Sequence, residues 1–146
     1  MPEPRKLDAL VGWETFAEFF SGTMLYRTTF DAHDNLTTQP LNHETALSLG
    51  EVREIARVRL NGRDLGVKFM PPYDFAVPSG VLREKGNVLE VEVTNLGANR
   101  LRWNDINKVD WKYFSDINMV GLDYKKLDAS KWKPLRAGLL GPVWVK

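Results

Sequence analysis

Regular alternation of apolar and acidic residues near the middle of the chain limits most strongly how it can fold. Residues 88–94 read VLEVEVT, so Leu89, Val91 and Val93 share one side of an extended backbone while two glutamates share the other. A period of two suits a β-strand with one buried face, whereas a helix would spread the same residues around its circumference. The segment therefore predicts a half-buried strand in an antiparallel sheet.

Shorter runs of strand-forming residues are spread along the rest of the chain. Residues 21–30, 45–50, 56–60, 65–69 and 139–146 are rich in β-branched or aromatic residues and are separated by turn residues. Asn61-Gly62 predicts a tight hairpin turn, because both residue types accept positive φ. We predict an all-β sandwich of two antiparallel sheets. The expected core residues are Tyr26, Phe30, Val58, Leu60, Leu89, Val91, Val93 and Val143.

Helical periodicity is scarce. Residues 7–20 could form a helical turn or two, and residues 97–138 are predicted to be an irregular loop with a further strand at 118–124. Long irregular stretches in a compact β-domain usually serve as binding loops or packing covers.

Length and composition describe an ordinary globular domain and exclude several functions. The chain has 146 residues, which suits one domain, and no cysteine, so disulfides and zinc–thiolate sites are excluded. Its net charge of +1 supplies no broad field for nucleic acid or anionic membrane, and neither is predicted as a partner. No apolar run has the length of a signal peptide or a membrane span, so a soluble domain is expected.

Five segments resemble, in order, a known domain family: SGTMLYRTTF, LSLGEVREIARVRLNGRDLGV, PPYDFAV, KGNVLEVEVTNLGANRL and AGLLGPVWV. They are similar to the galactose-binding-like jelly roll known as the sugar-binding domain of glycoside hydrolase family two. The version near the C-terminus of large bacterial α-L-rhamnosidase-like proteins is the most similar. The resemblance covers residues 12–146, and residues 1–11 are predicted to be an N-terminal extension or linker.

The resemblance implies an all-β jelly-roll β-sandwich of two antiparallel sheets that is not itself an enzyme. In that family the catalytic carboxylates reside on a separate barrel domain, while the jelly roll supports the barrel, shapes the edge of the active site or binds sugar. A bacterial parent protein would place the domain in the periplasm or outside the cell, with any export signal on the longer chain. No cofactor is expected. A structural calcium ion is the alternative, because related jelly rolls often carry one, and Asp31, Asp34 and Asn35 are oxygen ligands of suitable type without a diagnostic spacing.

Residue types for catalysis are poorly arranged. His33 and His43 lack metal-ligand spacing, and no serine stands in a Gly-x-Ser-x-Gly motif. Asp105, Asp110 and Asp116 are the candidates for a glycosidase carboxyl pair, but nineteen acids give such a pair by chance, so solvated loop charges are favoured. The sequence predicts no catalytic activity.

Aromatic and amide side chains are concentrated between residues 99 and 113. Sugars need flat apolar faces for stacking and planar polar groups for hydrogen bonds to hydroxyls. We predict a non-catalytic module that binds a polysaccharide or oligosaccharide, with the site residues Trp103, Trp111, Asn104, Asp105, Tyr113, Asn99 and Arg100.

Two alternatives remain open at this stage. The rings could instead fold inward and cap one end of the sandwich, which would make the chain a structural accessory domain packed on a glycosidase catalytic domain. For Asn95, Asn99 and Arg100 a structural role in the turn is the alternative to ligand binding. Trp13, Trp132 and Trp144, which flank the matched strands, are expected in the core or its cover.

Overall fold

Strands dominate the computed structural model, which describes residues 4–32, 45–112, 122 and 125–145. A short 3-10 helix, Trp13–Thr15, precedes the first strand, and one α-helix, α1, spans Ala98–Ile106. The strands in chain order are β1 Thr23–Phe30, β2 Thr45–Ser48, β3 Glu51–Arg53, β4 Ile55–Leu60, β5 Arg63–Lys68, β6 Asp74–Val77, β7 Asn87–Thr94, β8 Gly138–Gly141 and β9 Trp144–Val145.

Antiparallel pairing joins these strands into two layers around one core. The larger sheet has the order β1-β7-β4-β5, with Tyr26 and Val58 both opposite Val91 of the central strand β7. The other strands form a three-stranded sheet, β6-β2-β9, and a two-stranded sheet, β3-β8. Side chains from all three sheets meet in a single hydrophobic cluster. The predicted all-β sandwich is confirmed.

The core contains the residues that alternation selected. Five of the predicted members are buried, and Tyr26, Phe30 and Val143 are partly buried and pack against them. Trp13 is also buried, as expected. Trp132 and Trp144 do not lie in the core: their exposed fractions are 40% and 45%, which leaves them as partly covered surface residues. Trp144 lies in a two-residue strand at a sheet edge, and Trp132 lies on a surface segment, so neither reaches the interior.

The predicted hairpin turn joins β4 to β5. Asn61 has φ 51° and Gly62 has φ 80°, which are the left-handed values that this turn requires. The Asn61 side chain also ties the turn to β7, because its Nδ2 donates to Asn87 Oδ1 at 2.9 Å and its Oδ1 accepts from the Val88 amide at 2.8 Å. The turn therefore fixes both the hairpin and its position on the sheet.

Helix α1 corrects the expectation of an irregular loop over residues 97–138. Sequence periodicity missed it because its inward face carries polar side chains, among them Asn99, Arg102 and Asp105, instead of an apolar stripe. The predicted strand at 118–124 lies, except for Leu122, outside the described residues. In the ranges that the structure describes, the helices are too short to cross a membrane.

Candidate functional site

Helix α1 follows directly on the central strand β7, and Asn95 fixes the junction between them. Its Oδ1 accepts a hydrogen bond from the Gly22 amide at 2.9 Å, and its Nδ2 donates to the Phe20 carbonyl at 2.8 Å. Both polar atoms of the Asn95 side chain thus hold the chain that enters β1. The direction in which α1 leaves the sheet is set by this contact.

One face of α1 is bound along its length to residues 129–135, which we call the strap. From one contact to the next, the helical residue lies three positions further toward the C-terminus, and the strap residue lies three positions further toward the N-terminus. The Asn99 amide exchanges two hydrogen bonds of 2.8 Å with the backbone of Leu135. Arg102 Nε donates to the Trp132 carbonyl at 2.7 Å, and Asp105 Oδ2 accepts from the Ala129 amide at 2.7 Å. The strap therefore runs antiparallel to the helix and is held by side chains.

Asp105 collects several donors in a largely buried position. Its Oδ1 accepts from Trp111 Nε1 at 2.8 Å and from Lys112 Nζ at 2.7 Å, and its side chain is 6% exposed. Burial acts to raise the pKa of Asp105, but hydrogen bonds from Lys112, the Ala129 amide and Trp111 outweigh it and hold this pKa below the usual carboxyl value. Asp105 is therefore an ionised structural anchor with both oxygens in use.

The opposite side of α1 presents a different set of residues. Arg100, Trp103, Asn104 and Asn107 are spaced three, four and seven residues apart, so they share one side of the helix. The Arg100 guanidinium lies 4.5 Å from the centre of the Trp103 ring. Arg100 is exposed, while Trp103 and Asn104 are half-buried. We call Arg100, Trp103 and Asn104 the outer face.

The structure thus divides the predicted sugar-binding residues. The outer face holds three of them, whereas Asn99 is 4% exposed and, with Asp105, is turned to the strap. The half-buried Trp111 uses its ring nitrogen on Asp105, and Lys112 lies 5.1 Å from its ring centre. Tyr113 lies outside the described residues.

Sequence reasoning missed the partners that hold α1. Arg102 pairs with Glu18 at 2.5 Å across 84 residues of sequence, and the strap lies at least 24 residues beyond the helical residues that it bonds. Such contacts leave no local pattern. The signal that could have suggested them is the polar inward face itself, because buried polar groups need partners.

The described residues contain no cluster of three or more His, Asp or Glu side chains that could hold a metal ion. Both histidines, together with Asp34, Asn35 and Asp116, lie outside the described residues. Asp31 accepts a hydrogen bond from the Gly86 amide at 2.8 Å. The calcium site therefore stays a prediction.

Comparisons with known proteins point to glycoside hydrolases. No family model matches the chain. A Formosa agariphila protein named as a β-glucuronidase candidate is 32% identical over 158 residues, which cover 94% of this chain and 13% of that protein. A rhamnosidase from Novosphingobium sp. PP1Y has a similar structure, with TM-score 0.63 and 25% identity over 87% of this chain and 11% of the other. A Bacteroides uniformis β-glucuronidase shares the fold, with TM-score 0.54 and 15% identity, over 98% of this chain and 14% of the other.

Fold and relatives together define an all-β domain that recurs within much longer glycoside hydrolases. More particularly, the predicted resemblance to the galactose-binding-like jelly roll of the glycoside hydrolase family two type is confirmed. The chain spans 13% of the length of the curated relative that it matches.

Proposed function

We propose that the chain is a non-catalytic domain of a larger, exported glycoside hydrolase and that it binds carbohydrate through the outer face of α1. The observation that carries this proposal is that the two sides of α1 have different contacts. One side is committed to the strap, while Arg100, Trp103 and Asn104 are left together on the other. A helix held so firmly from behind can present side chains in fixed positions.

The outer face supplies the two kinds of group that sugar recognition needs. Trp103 is half-buried and offers its exposed aromatic surface to a pyranose ring, beside the Arg100 guanidinium that lies over one of its faces. The Asn104 amide can both donate to and accept from hydroxyl groups. Asp105 and Asn99 support this arrangement from the strap side and are left out of the proposed contacts.

A second candidate function, structural docking, is favoured by an apolar patch on the larger sheet. Ile55, Val67, Phe69 and Met70 have exposed fractions of 40%, 56%, 68% and 60%, and pairing between β4 and β5 places them at one corner. Clusters of this kind usually mark interaction sites. The proposed occupant is another domain of the same polypeptide, because this fold makes up only 11–14% of the relatives that contain it.

Affinity electrophoresis against a panel of polysaccharides separates the two functions. Trp103→Ala should reduce retention about ten- to a hundredfold, which is the loss typical of a central binding aromatic. The control is the double variant that combines Phe69→Ser with Met70→Ser. It removes much of the apolar patch but leaves α1 intact, so it should keep wild-type retention.

Thermal unfolding completes the test, because Trp103 is half-buried. If the outer face binds sugar, Trp103→Ala loses retention while its Tm stays within a few degrees of wild type. Early unfolding of this variant with unchanged retention by its folded fraction would make Trp103 a packing residue. A wild-type chain that is retained by no glycan would refute carbohydrate binding and leave docking as the function.

A further inference from the structure

Two cations in the region of α1 are paired with carboxylates of the protein. Arg102 pairs with Glu18 at 2.5 Å, and Lys112 pairs with Asp105 at 2.7 Å. Within the described ranges no carboxylate lies within ion-pair distance of Arg100. The outer face therefore carries a positive charge that the rest of the site does not neutralise.

The Arg100 side chain is held in place despite its exposure. Its guanidinium lies over the Trp103 ring, 4.5 Å from the ring centre, in a cation–π contact. Asn107 Nδ2 donates to the backbone carbonyl of Trp103 at 2.8 Å and so fixes the last turn of the helix that carries this pair. A guanidinium that is already oriented loses less rotamer entropy when it meets a ligand.

We propose that the outer face recognises an acidic sugar, a pyranose that carries a carboxylate, within a polysaccharide. Arg100 binds the carboxylate through its planar fork, the exposed part of Trp103 beside the guanidinium packs against the sugar ring, and Asn104 bonds a hydroxyl. Arginine suits this role because its paired N–H groups match the two oxygens of a carboxylate. This inference rests on the proposed carbohydrate-binding function and adds the class of sugar.

Neighbouring charges do not oppose an anionic ligand. Asp105 is neutralised by Lys112 and faces the strap. The exposed Asp110 follows the exposed Lys108 by two residues, so that their charges offset each other. Arg100 is thus the charge that decides the sign of the outer face.

The experiment measures binding of matched acidic and neutral polymers at low ionic strength. The probes are polygalacturonate, alginate and glucuronoxylan, each compared with its own carboxyl-reduced form. We expect at least one acidic polymer to bind roughly tenfold more tightly than its reduced partner, in line with a hydrogen bond to a charged group. The preference should weaken as salt is added, because Arg100 is exposed.

Two variants assign that preference to a residue. Arg100→Gln should bind the acidic and reduced polymers with equal affinity, whatever its affinity for the reduced form. Arg63→Gln, in an exposed position of β5, changes the net charge by the same amount and should keep the full preference. A loss of preference in both variants would mean attraction by net charge alone and would overturn the proposal.

The remaining outcomes distinguish this inference from the function on which it rests. Equal wild-type binding of acidic and reduced polymers would overturn the acidic-sugar assignment while leaving carbohydrate binding intact. Dextran sulfate that binds as tightly as the best uronate polymer, with plain dextran unbound, would replace carboxylate recognition by general anion recognition. Absence of binding to all of these polymers and to the wider glycan panel would overturn both proposals.

Discussion

Single polar residues anchor the helical region to the sandwich. Asn95 holds the exit from β7, Asn99 holds one end of the strap, and Asp105 holds the other. Each makes at least two hydrogen bonds, and none of the buried side-chain polar atoms among the described residues lacks a partner.

Sequence composition suggested that the amides and acids near residue 100 were important. It could not separate ligand-facing from strap-facing members, because that depends on contacts with residues 24 to 36 positions away.

Asp105→Asn should destabilise the fold. The amide keeps the size of the carboxylate but loses the negative charge to which Lys112, Trp111 and the Ala129 amide donate hydrogen bonds. Hydrogen bonds to a charged group contribute about 1.5–3 kcal/mol. Chemical denaturation should show this loss in the free energy of unfolding at neutral pH. Asp110→Asn, at an exposed position of the same segment, is the control and should change it by less than about 0.5 kcal/mol.

The same variant has a defined pH dependence. Because folding lowers the pKa of Asp105, the stability that it contributes is complete above the unfolded carboxyl value, about 3.9, and is lost as pH falls through the folded value. The difference in unfolding free energy between wild type and Asp105→Asn should therefore be constant near neutrality and shrink below about pH 4. A difference that grows on acidification would contradict the anchoring role.

Elements with one apolar face were predictable from sequence, and those with a polar buried face were not. β7 alternates so regularly that its core residues could be named in advance, and Asn61-Gly62 specified the turn between β4 and β5. Helix α1 could not be named, because the hydrogen bonds that hold it to the strap come from polar side chains. β3 and β8 were also hard to delimit, since they are three and four residues long.

Two glycines with similar backbone angles should respond differently to substitution. Gly62 in the β4–β5 turn has φ +80°, and no atom lies within 4 Å of the place that a Cβ would take, so Gly62→Ala should cost about 1–2 kcal/mol from the left-handed backbone alone. Gly50 has φ +62°, but a Cβ there would lie 2.5 Å from the backbone of Gly141. Gly50→Ala should therefore cost roughly 1–3 kcal/mol more than Gly62→Ala, as overpacking does. Urea denaturation of both variants measures the difference, and equal costs would show that the contact with Gly141 relaxes.

At the scale of the whole molecule, the described carboxyl groups with a clearly shifted pKa all accept hydrogen bonds. A glycosidase needs a carboxylic acid whose pKa is raised, paired with a second carboxylate about 5–10 Å away. Among the described acids, those with a clearly shifted pKa all move downward. Hydrogen bonds from Arg57 and Ser130 lower the pKa of Asp64 and Asp128 respectively, and the donors around Asp105 outweigh its burial. Asp64, Asp105 and Asp128 thus keep their charge, whereas a general acid has to keep its proton.

The isolated 146-residue chain should therefore show no turnover of aryl glycosides. Nitrophenyl α-L-rhamnoside and β-D-glucuronide are the substrates to test first, because the similar proteins are named as a rhamnosidase and as glucuronidases. Release of nitrophenol from about pH 4 to about pH 8, the range that spans a raised carboxyl pKa, should stay at the rate of a heat-inactivated sample, with commercial glycosidases as the positive control. Turnover that a single Asp or Glu substitution abolishes, while circular dichroism shows the fold retained, would place a complete catalytic pair within this domain. That result would make the chain an enzyme, and the substitution that abolishes turnover would identify its catalytic acid.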